Sequence, residues 1–362
     1  MQACTDYSSA MSMSRSFENR VHEIWYGGSS LRFLLLPLTW IYFAVVACRR
    51  FLYASGLLRS RRVAVPVVIV GNITVGGTGK TPLTIWLAQQ LAARGYTPGI
   101  ISRGYRGTTG AQPQQATAGS DPAIVGDEAI MVANRSGCAV VVHADRVAAA
   151  RRAIELGATV IVSDDGLQHY RLGRNYEIAV VDGTRRYGNR HLLPAGPLRE
   201  PVSRLDSVDQ ILVQMADDGN SEFLRRASDR PPVEFRLTAA RICRLDNSAT
   251  RRIGEFSGTR MHALAGIGHP ERFFRLLEAH NIEVIRHPLP DHADIQPQDL
   301  EFGDDLDVVM TEKDAVKCRG FQAGNCWYVP VDVAMDDTQA ADLLGRIVNK
   351  ITPVDVDGTI DG

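Results

Sequence analysis

Between Val67 and Ala92 the chain reads VVIVGNITVGGTGKTPLTIWLAQQLA, an apolar run, a glycine-rich turn and a second apolar run with helical spacing. No other stretch limits the fold as tightly. A turn built around Gly76, Gly77 and Gly79 lets backbone N–H groups converge on one point, and the helix that follows adds its positive end there. Thr74, Val75, Gly76, Gly77, Thr78, Gly79, Lys80 and Thr81 fit the Walker A pattern G-x-x-x-x-G-K-[ST], except that Thr74 stands where the pattern has its first glycine. In such a loop Lys80 reaches the β- and γ-phosphates of a nucleoside triphosphate, and the Thr81 hydroxyl coordinates Mg²⁺. The motif works only between a buried strand and a helix, so it predicts an α/β domain.

The following segments alternate as a doubly wound sheet requires. PGIISRGY, AVVVHA (Ala139 to Ala144), TVIVSDDG (Thr159 to Gly166) and YEIAVVDG (Tyr176 to Gly183) read as strands, with a helix through Arg151 and Ile154. Strands this apolar are covered on both faces, as in a parallel sheet, and ligands then bind beyond the strand C-termini. Asp164 and Asp165 occupy that edge. Their position after an apolar strand is the Walker B arrangement for holding Mg²⁺, against the plainer reading of a turn cap. Asp182 reads better as a cap. Arg103 shares the edge, either to grip a phosphate or as an ordinary surface arginine. Gly107 to Pro122 reads as a flexible loop. By position alone, Asp127 and Glu128 are dipole partners in a helix's first turn.

In the second half, VEFRLTAARICRL (Val233 to Leu245) reads as a long strand or hairpin arm between domains. MHALAGIG, a helix from Pro270 to His280, IEVIRHPLPDH, DVVMTEKDAVKC, CWYVPVDV and a helix over 338–349 repeat the α/β theme, with TEKD as a helix cap. The expected organisation is an N-terminal extension and membrane-docking helix over 1–62, a P-loop domain over 63–232, linker strands with a smaller α/β domain over 233–352, and a disordered tail over 353–362.

Forty basic against 41 acidic residues give a net charge of −1, which argues against nucleic-acid binding through bulk positive charge. That average hides a polarised segment. Phe33 to Cys48 is uncharged, and Arg32, Arg49, Arg50, Arg59, Arg61 and Arg62 accompany it with no acidic residue between Leu31 and Arg62. An arginine-flanked apolar helix bearing Trp40, Tyr42 and Tyr53 suits the cytoplasmic face of a membrane, dipping into it rather than crossing. The first 20 residues lack the apolar core of a secretory signal. The six cysteines form no C-x-x-C pair, which disfavours a zinc site, and are too sparse for a disulfide scaffold.

VPVVIVGNITVGGTGKTP, SRGYRG, VGDEAIMV, SDDGLQHYRL, LLPAGPLREP, GIGHPERFF, LPDH and MTEKDAVKC occur in that order, and together they strongly resemble the tetraacyldisaccharide 4'-kinase family of Gram-negative bacteria. The resemblance runs from about Ile24 to about Ile351. It implies transfer of the ATP γ-phosphate to the 4'-hydroxyl of a tetraacylated glucosamine disaccharide 1-phosphate, giving lipid IVA at the inner membrane, with no protein partner implied. It also implies roles. Lys80 and Thr81 match the phosphate and Mg²⁺ residues, and Asp164 and Asp165 the pair near the metal. Asp127 matches a catalytic carboxylate, and His292 its histidine partner, with His269 as a rival. Arg103, Tyr105, Gln168, His169, Arg199 and Glu200 match residues near the disaccharide or the phosphates. Two other readings compete: a peripheral membrane ATPase of the MinD/ParA type, disfavoured because Val75 replaces its signature lysine, and a soluble P-loop small-molecule kinase, which leaves the apolar segment without a purpose.

Overall fold

A computed structural model describes residues 20–104, 110–215, 231–291, 293–321 and 324–352. Tyr105, His292 and the tail 353–362 lie outside the described residues. Nine strands form the larger sheet, in spatial order β15 (Asp332–Met335), β8 (Val233–Thr238), β7 (Gln210–Gln214), β6 (Tyr176–Asp182), β1 (Val67–Gly71), β5 (Val160–Asp164), β2 (Pro98–Ser102), β4 (Ala139–Val142) and β3 (Gln114–Ala116). Neighbours from β8 to β4 are parallel, and the two outer pairs are antiparallel.

Successive side chains on a strand point to opposite faces, so an all-apolar strand needs a core on each side. Val68 and Val70 of β1 turn to one core, built with the helices Lys80–Ala92, Asp127–Ser136 and Asp337–Ile351. Val67 and Ile69 turn to the other, shared with the helix Arg146–Glu155 and with Tyr42 of the helix Leu31–Ala54. The expected parallel P-loop domain is therefore present. The segment after Gly107 departs from the loop reading: Gln114–Ala116 adds β3 antiparallel to β4 at the sheet edge.

Six strands form the smaller sheet, in the order β10 (Thr250–Arg252), β9 (Arg241–Arg244), β14 (Cys326–Val329), β13 (Val308–Thr311), β11 (Arg260–Ala265) and β12 (Glu283–Pro288). The segment 233–245 does bridge the sheets: β8 joins the larger one, and β9 pairs with β14 in the smaller one. CWYVPVDV is not one strand. The chain leaves β14 at Pro330, which lacks the N–H needed to continue a ladder, and returns as β15 to pair with β8. The last helix follows it back. Leu343, Leu344, Ile347 and Ile351 are buried against the larger sheet with Tyr176 and Ile178. A division at 233 thus misassigns β8, β15 and the last helix, because strand partners across such distances leave no local signal.

Truncating Ile347, fully buried in that helix, to alanine should destabilise the larger domain by about 2–5 kcal/mol. Hydrogen exchange should show lost protection in β1 and β6 and unchanged protection in β11 and β13. Equal loss in both sheets would refute the assignment of the helix to the larger domain.

Candidate active site

The glycine-rich loop is shaped by a few side chains. Asn72 Nδ2 reaches the Thr74 and Thr78 hydroxyls, each at 3.3 Å, and the Gly76 carbonyl at 3.4 Å. Gly76 and Gly79 have φ of 103° and 79°, a region that favours glycine. Thr74 departs from the motif without strain because it forms an antiparallel bridge with Leu198, and the Val75 N–H donates to Pro197 O at 2.8 Å. That extended conformation does not need glycine. The helix Lys80–Ala92 starts at Gly79 with no acidic residue in its first turn, so its positive end faces the loop uncompensated.

β5 lies beside β1 with Asp164 opposite Val70, which carries the SDDG turn to the loop. Asp164 accepts hydrogen bonds from the Thr81 and Thr84 hydroxyls at 3.3 and 3.2 Å. Burial, together with nearby Glu128, pushes its carboxyl up to about 6. Hydroxyl and carboxylate oxygens directed into a buried spot are the donors a hard divalent cation takes. Asp165 differs. It lies 3.5 Å from Lys80 Nζ and receives both oxygens' contacts from Arg199 at 3.0 and 2.8 Å. Burial raises its pKa, but Lys80 and Arg199 outweigh that and hold the carboxyl well below the usual range.

The remaining expected residues divide. Glu200 is 2% exposed and accepts from Gln168 Nε2 at 3.0 Å and from the Tyr170 hydroxyl. Gln168 also donates to Asn72 O at 3.0 Å, so this pair braces the back of the loop. His169 is brought to about 4 by burial, with Arg146 adding to the shift, and is neutral at pH 7. Arg103 follows β2 within electrostatic reach of both. Asp127 opens its helix after Gly126, is 6% exposed, and accepts from the Glu128 N–H at 2.9 Å.

Two groups at this edge were not legible as a site. Asp182 caps its turn through the Thr184 and Arg185 N–H groups, both at 3.0 Å. It also binds Arg185 Nε at 2.8 Å and Arg272 of the smaller domain at 2.7 Å. Arg185 in turn donates to Gly77 O and touches the His269 ring. His269, the alternative partner for Asp127, therefore sits against Arg185. Burial, Arg185 and Arg272 lower it to about 4. TRRYG resembles no motif, so only the sheet edge at Asp182 hinted at it. In TEKD, Thr311 does cap its helix, accepting from the Asp314 N–H at 3.2 Å. Beyond the cap, Lys313 and Lys317 reach the larger domain, lying 3.7 Å from Glu128 and 3.7 Å from Asp127.

This geometry can be set beside known proteins. The family model described as tetraacyldisaccharide-1-P 4'-kinase matches residues 31–349. The tetraacyldisaccharide 4'-kinase of Nitrosococcus oceani is 46% identical over 332 residues, covering 91% of this chain and 95% of the relative. That of Alkalilimnicola ehrlichii is 49% identical over 298 residues, covering 82% and 87%. Among solved structures, LpxK from Aquifex aeolicus in complex with ATP matches with a TM-score of 0.76 at 26% identity, over 89% of this chain and 100% of that one. With a P-loop edge of this design and matches over most of its length, the chain belongs to the tetraacyldisaccharide 4'-kinase family.

Proposed function

We propose that this chain transfers the γ-phosphate of ATP to the 4'-hydroxyl of a tetraacyldisaccharide 1-phosphate, forming lipid IVA at the cytoplasmic face of the inner membrane. The observation that carries the reading is one sheet edge bearing the P-loop, Asp164 and, on the adjoining helix, Asp127, in a chain whose N-terminal helix exposes an apolar face. Lys80 and the loop's backbone N–H groups bind the phosphates. Thr81 and Asp164 are the residues that would hold Mg²⁺, which neutralises phosphate charge when bound. Asp165, held by Lys80 and Arg199, organises the cations rather than serving as an equal metal ligand.

Chemistry at the acceptor needs a base. The 4'-oxygen forms the new bond to the γ-phosphorus as the bond to the β–γ bridging oxygen breaks, and ADP leaves with that electron pair. The hydroxyl proton goes to a carboxylate, for which Asp127 is the residue at the right edge. His292 remains its proposed partner by family resemblance. Arg103, Tyr105 and His169 are proposed to line the acceptor side.

The helix Leu31–Ala54 has 24 residues and is, among the described residues, the one long and apolar enough to cross a membrane. Two side chains fix its inner face to the enzyme body through three hydrogen bonds. The Thr39 hydroxyl donates to Leu192 O at 3.3 Å and accepts from the Ala195 N–H at 3.1 Å. The Tyr42 hydroxyl donates to Arg199 O at 3.1 Å. On the outer face Leu34 is 78% and Trp40 74% exposed. A helix tied along its middle to a folded domain presents only one face to lipid, which favours lying in the interface over crossing. The soluble-kinase reading leaves this surface without use, and the partner-switching membrane ATPase is disfavoured by Val75 in place of its signature lysine.

Three outcomes are expected. With Mg-ATP and tetraacyldisaccharide 1-phosphate in detergent, the protein yields a doubly phosphorylated lipid, and Asp127→Ala lowers turnover by about 10²–10⁴ while ATP binding measured by calorimetry stays near wild type. A loss of ATP affinity alone would remove Asp127 from the proton-transfer role. For pH, an Asp164 carboxyl near 6 is protonated below that value and cannot ligate a cation. Mg-ATP affinity should therefore fall as pH drops through 6 and level off above it, and Asp164→Asn should flatten the profile. For the membrane, Leu34→Asp with Trp40→Asp should abolish flotation with anionic vesicles, and unchanged flotation would exclude this face as the docking surface.

A further inference from the structure

The helix Glu312–Lys317 belongs to the smaller domain, following β13 directly, yet it packs on the helix that Asp127 begins. Val316 on its inner side is buried in the larger domain's core. Lys313 and Lys317, four residues apart, share one face of this helix and meet the adjacent carboxylates Glu128 and Asp127, each at 3.7 Å. Both lysines are held from behind. Lys313 Nζ donates to Asp291 Oδ1 at 2.9 Å. Lys317 Nζ donates to Asp314 Oδ1 at 3.1 Å. Asp314 is wholly buried, and its other oxygen accepts from the Gly266 N–H at 2.8 Å and the Thr311 hydroxyl at 2.6 Å. Gly266 directly follows β11, and a Cβ there would lie 2.8 Å from Asp314 Oδ1, so the site leaves no room for a side chain.

A buried carboxylate with three donors is a rigid mount, and Asp314 mounts an ammonium rather than satisfying itself alone. A helix cap needs neither the lysine nor the burial. We propose that Lys317 is a positioning residue for phosphoryl transfer: held by Asp314, it keeps the Asp127 carboxylate ionised and fixed in place, so the smaller domain completes the base that the larger domain supplies. This rests on the role given to Asp127 above. Among the described residues, the charged groups on the elements packed around Asp127 are Glu128 and Arg135 on its own helix, Glu312, Lys313, Asp314 and Lys317 on the helix opposite, Lys80 on the helix alongside and Asp121 before it, with Glu312 and Arg135 paired to each other. His292, its proposed partner, lies outside the described residues. Removing the Lys317 cation leaves Glu128 and Asp314 less opposed, so protonation of Asp127 becomes easier.

The test is kinetics of the full chain from pH 5 to 9 with Mg-ATP and tetraacyldisaccharide 1-phosphate in detergent. Lys317→Met should lower kcat by about tenfold or more at pH 6 and less at pH 9, because the acid limb of its profile moves up by about one unit or more. KM for ATP and for lipid should stay within about twofold, and Lys317→Arg, which keeps the charge, should restore the limb. In an Asp127→Asn background, Lys317→Met should cost nothing further. An unmoved acid limb, a loss uniform in pH, or an added loss in the Asp127→Asn background would overturn the proposal. Failure of the wild type to phosphorylate the lipid would overturn the functional reading instead.

Discussion

The parallel pairing of β1 with β5, with Val70 opposite Asp164, is the constraint on which the active edge depends. It sets the residue that leaves β5 beside the turn that leaves β1. Thr81 and Thr84, one helical turn apart, then both bond the same carboxylate. A shift of one residue would turn Asp164 into a core and an apolar side chain toward the phosphates. β1 is apolar on both faces, so its side-chain pattern does not set the register; the close packing at its end does, where a Cβ on Gly71 would lie 2.7 Å from the Leu167 side chain that follows β5. Sheet packing and phosphate chemistry are here the same requirement seen from two sides.

The two sheets are joined by strand crossings and by charge. The chain passes from β8 to β9 and returns from β14 to β15, so the smaller domain is held by two strands. Across the cleft, Arg272 reaches Asp182 at 2.7 Å and Lys317 faces Asp127 at 3.7 Å. Arg135 on the larger domain binds Glu312 at 2.6 Å and also Asp332 beyond the second crossing. Most of these charged groups are largely buried, beside an apolar seam at Val316.

What could be read from sequence follows the range of the interaction. The loop from Thr74 to Thr81 was legible because its geometry is local: glycines, a lysine and a hydroxyl at fixed offsets. Asp164 and Asp165 were legible as a pair but not as unlike members, since Arg199, 34 residues from Asp165, separates their roles. β8, β15 and the last helix were misplaced because their partners lie far along the chain. TEKD was legible as a cap, which it is, while its lysines' reach to Asp127 exists only once two domains are packed. Asp127 itself looked like a dipole partner from its position, and only the family resemblance marked it as a catalytic carboxylate.

The exposed apolar helix Leu31–Ala54 is connected to the glycine-rich loop by a short series of contacts. Tyr42, on its inner face, donates to the backbone carbonyl of Arg199. The Arg199 N–H donates to Ile73 O at 2.7 Å, just before the glycine-rich loop, and its guanidinium binds Asp165. Asp165 lies 3.5 Å from Lys80. Thr39 fixes the same helix to the segment just before Arg199 through Leu192 and Ala195. The exposed apolar face of this helix is therefore joined to Lys80 by a continuous series of contacts. For the lipid acceptor proposed above, whose acyl chains would stay in the bilayer, that fixed connection would hold the sugar hydroxyl at one height above the membrane. The near-neutral net charge averages over this segregation, with six arginines gathered around the apolar helix and the acidic excess carried by the rest of the chain.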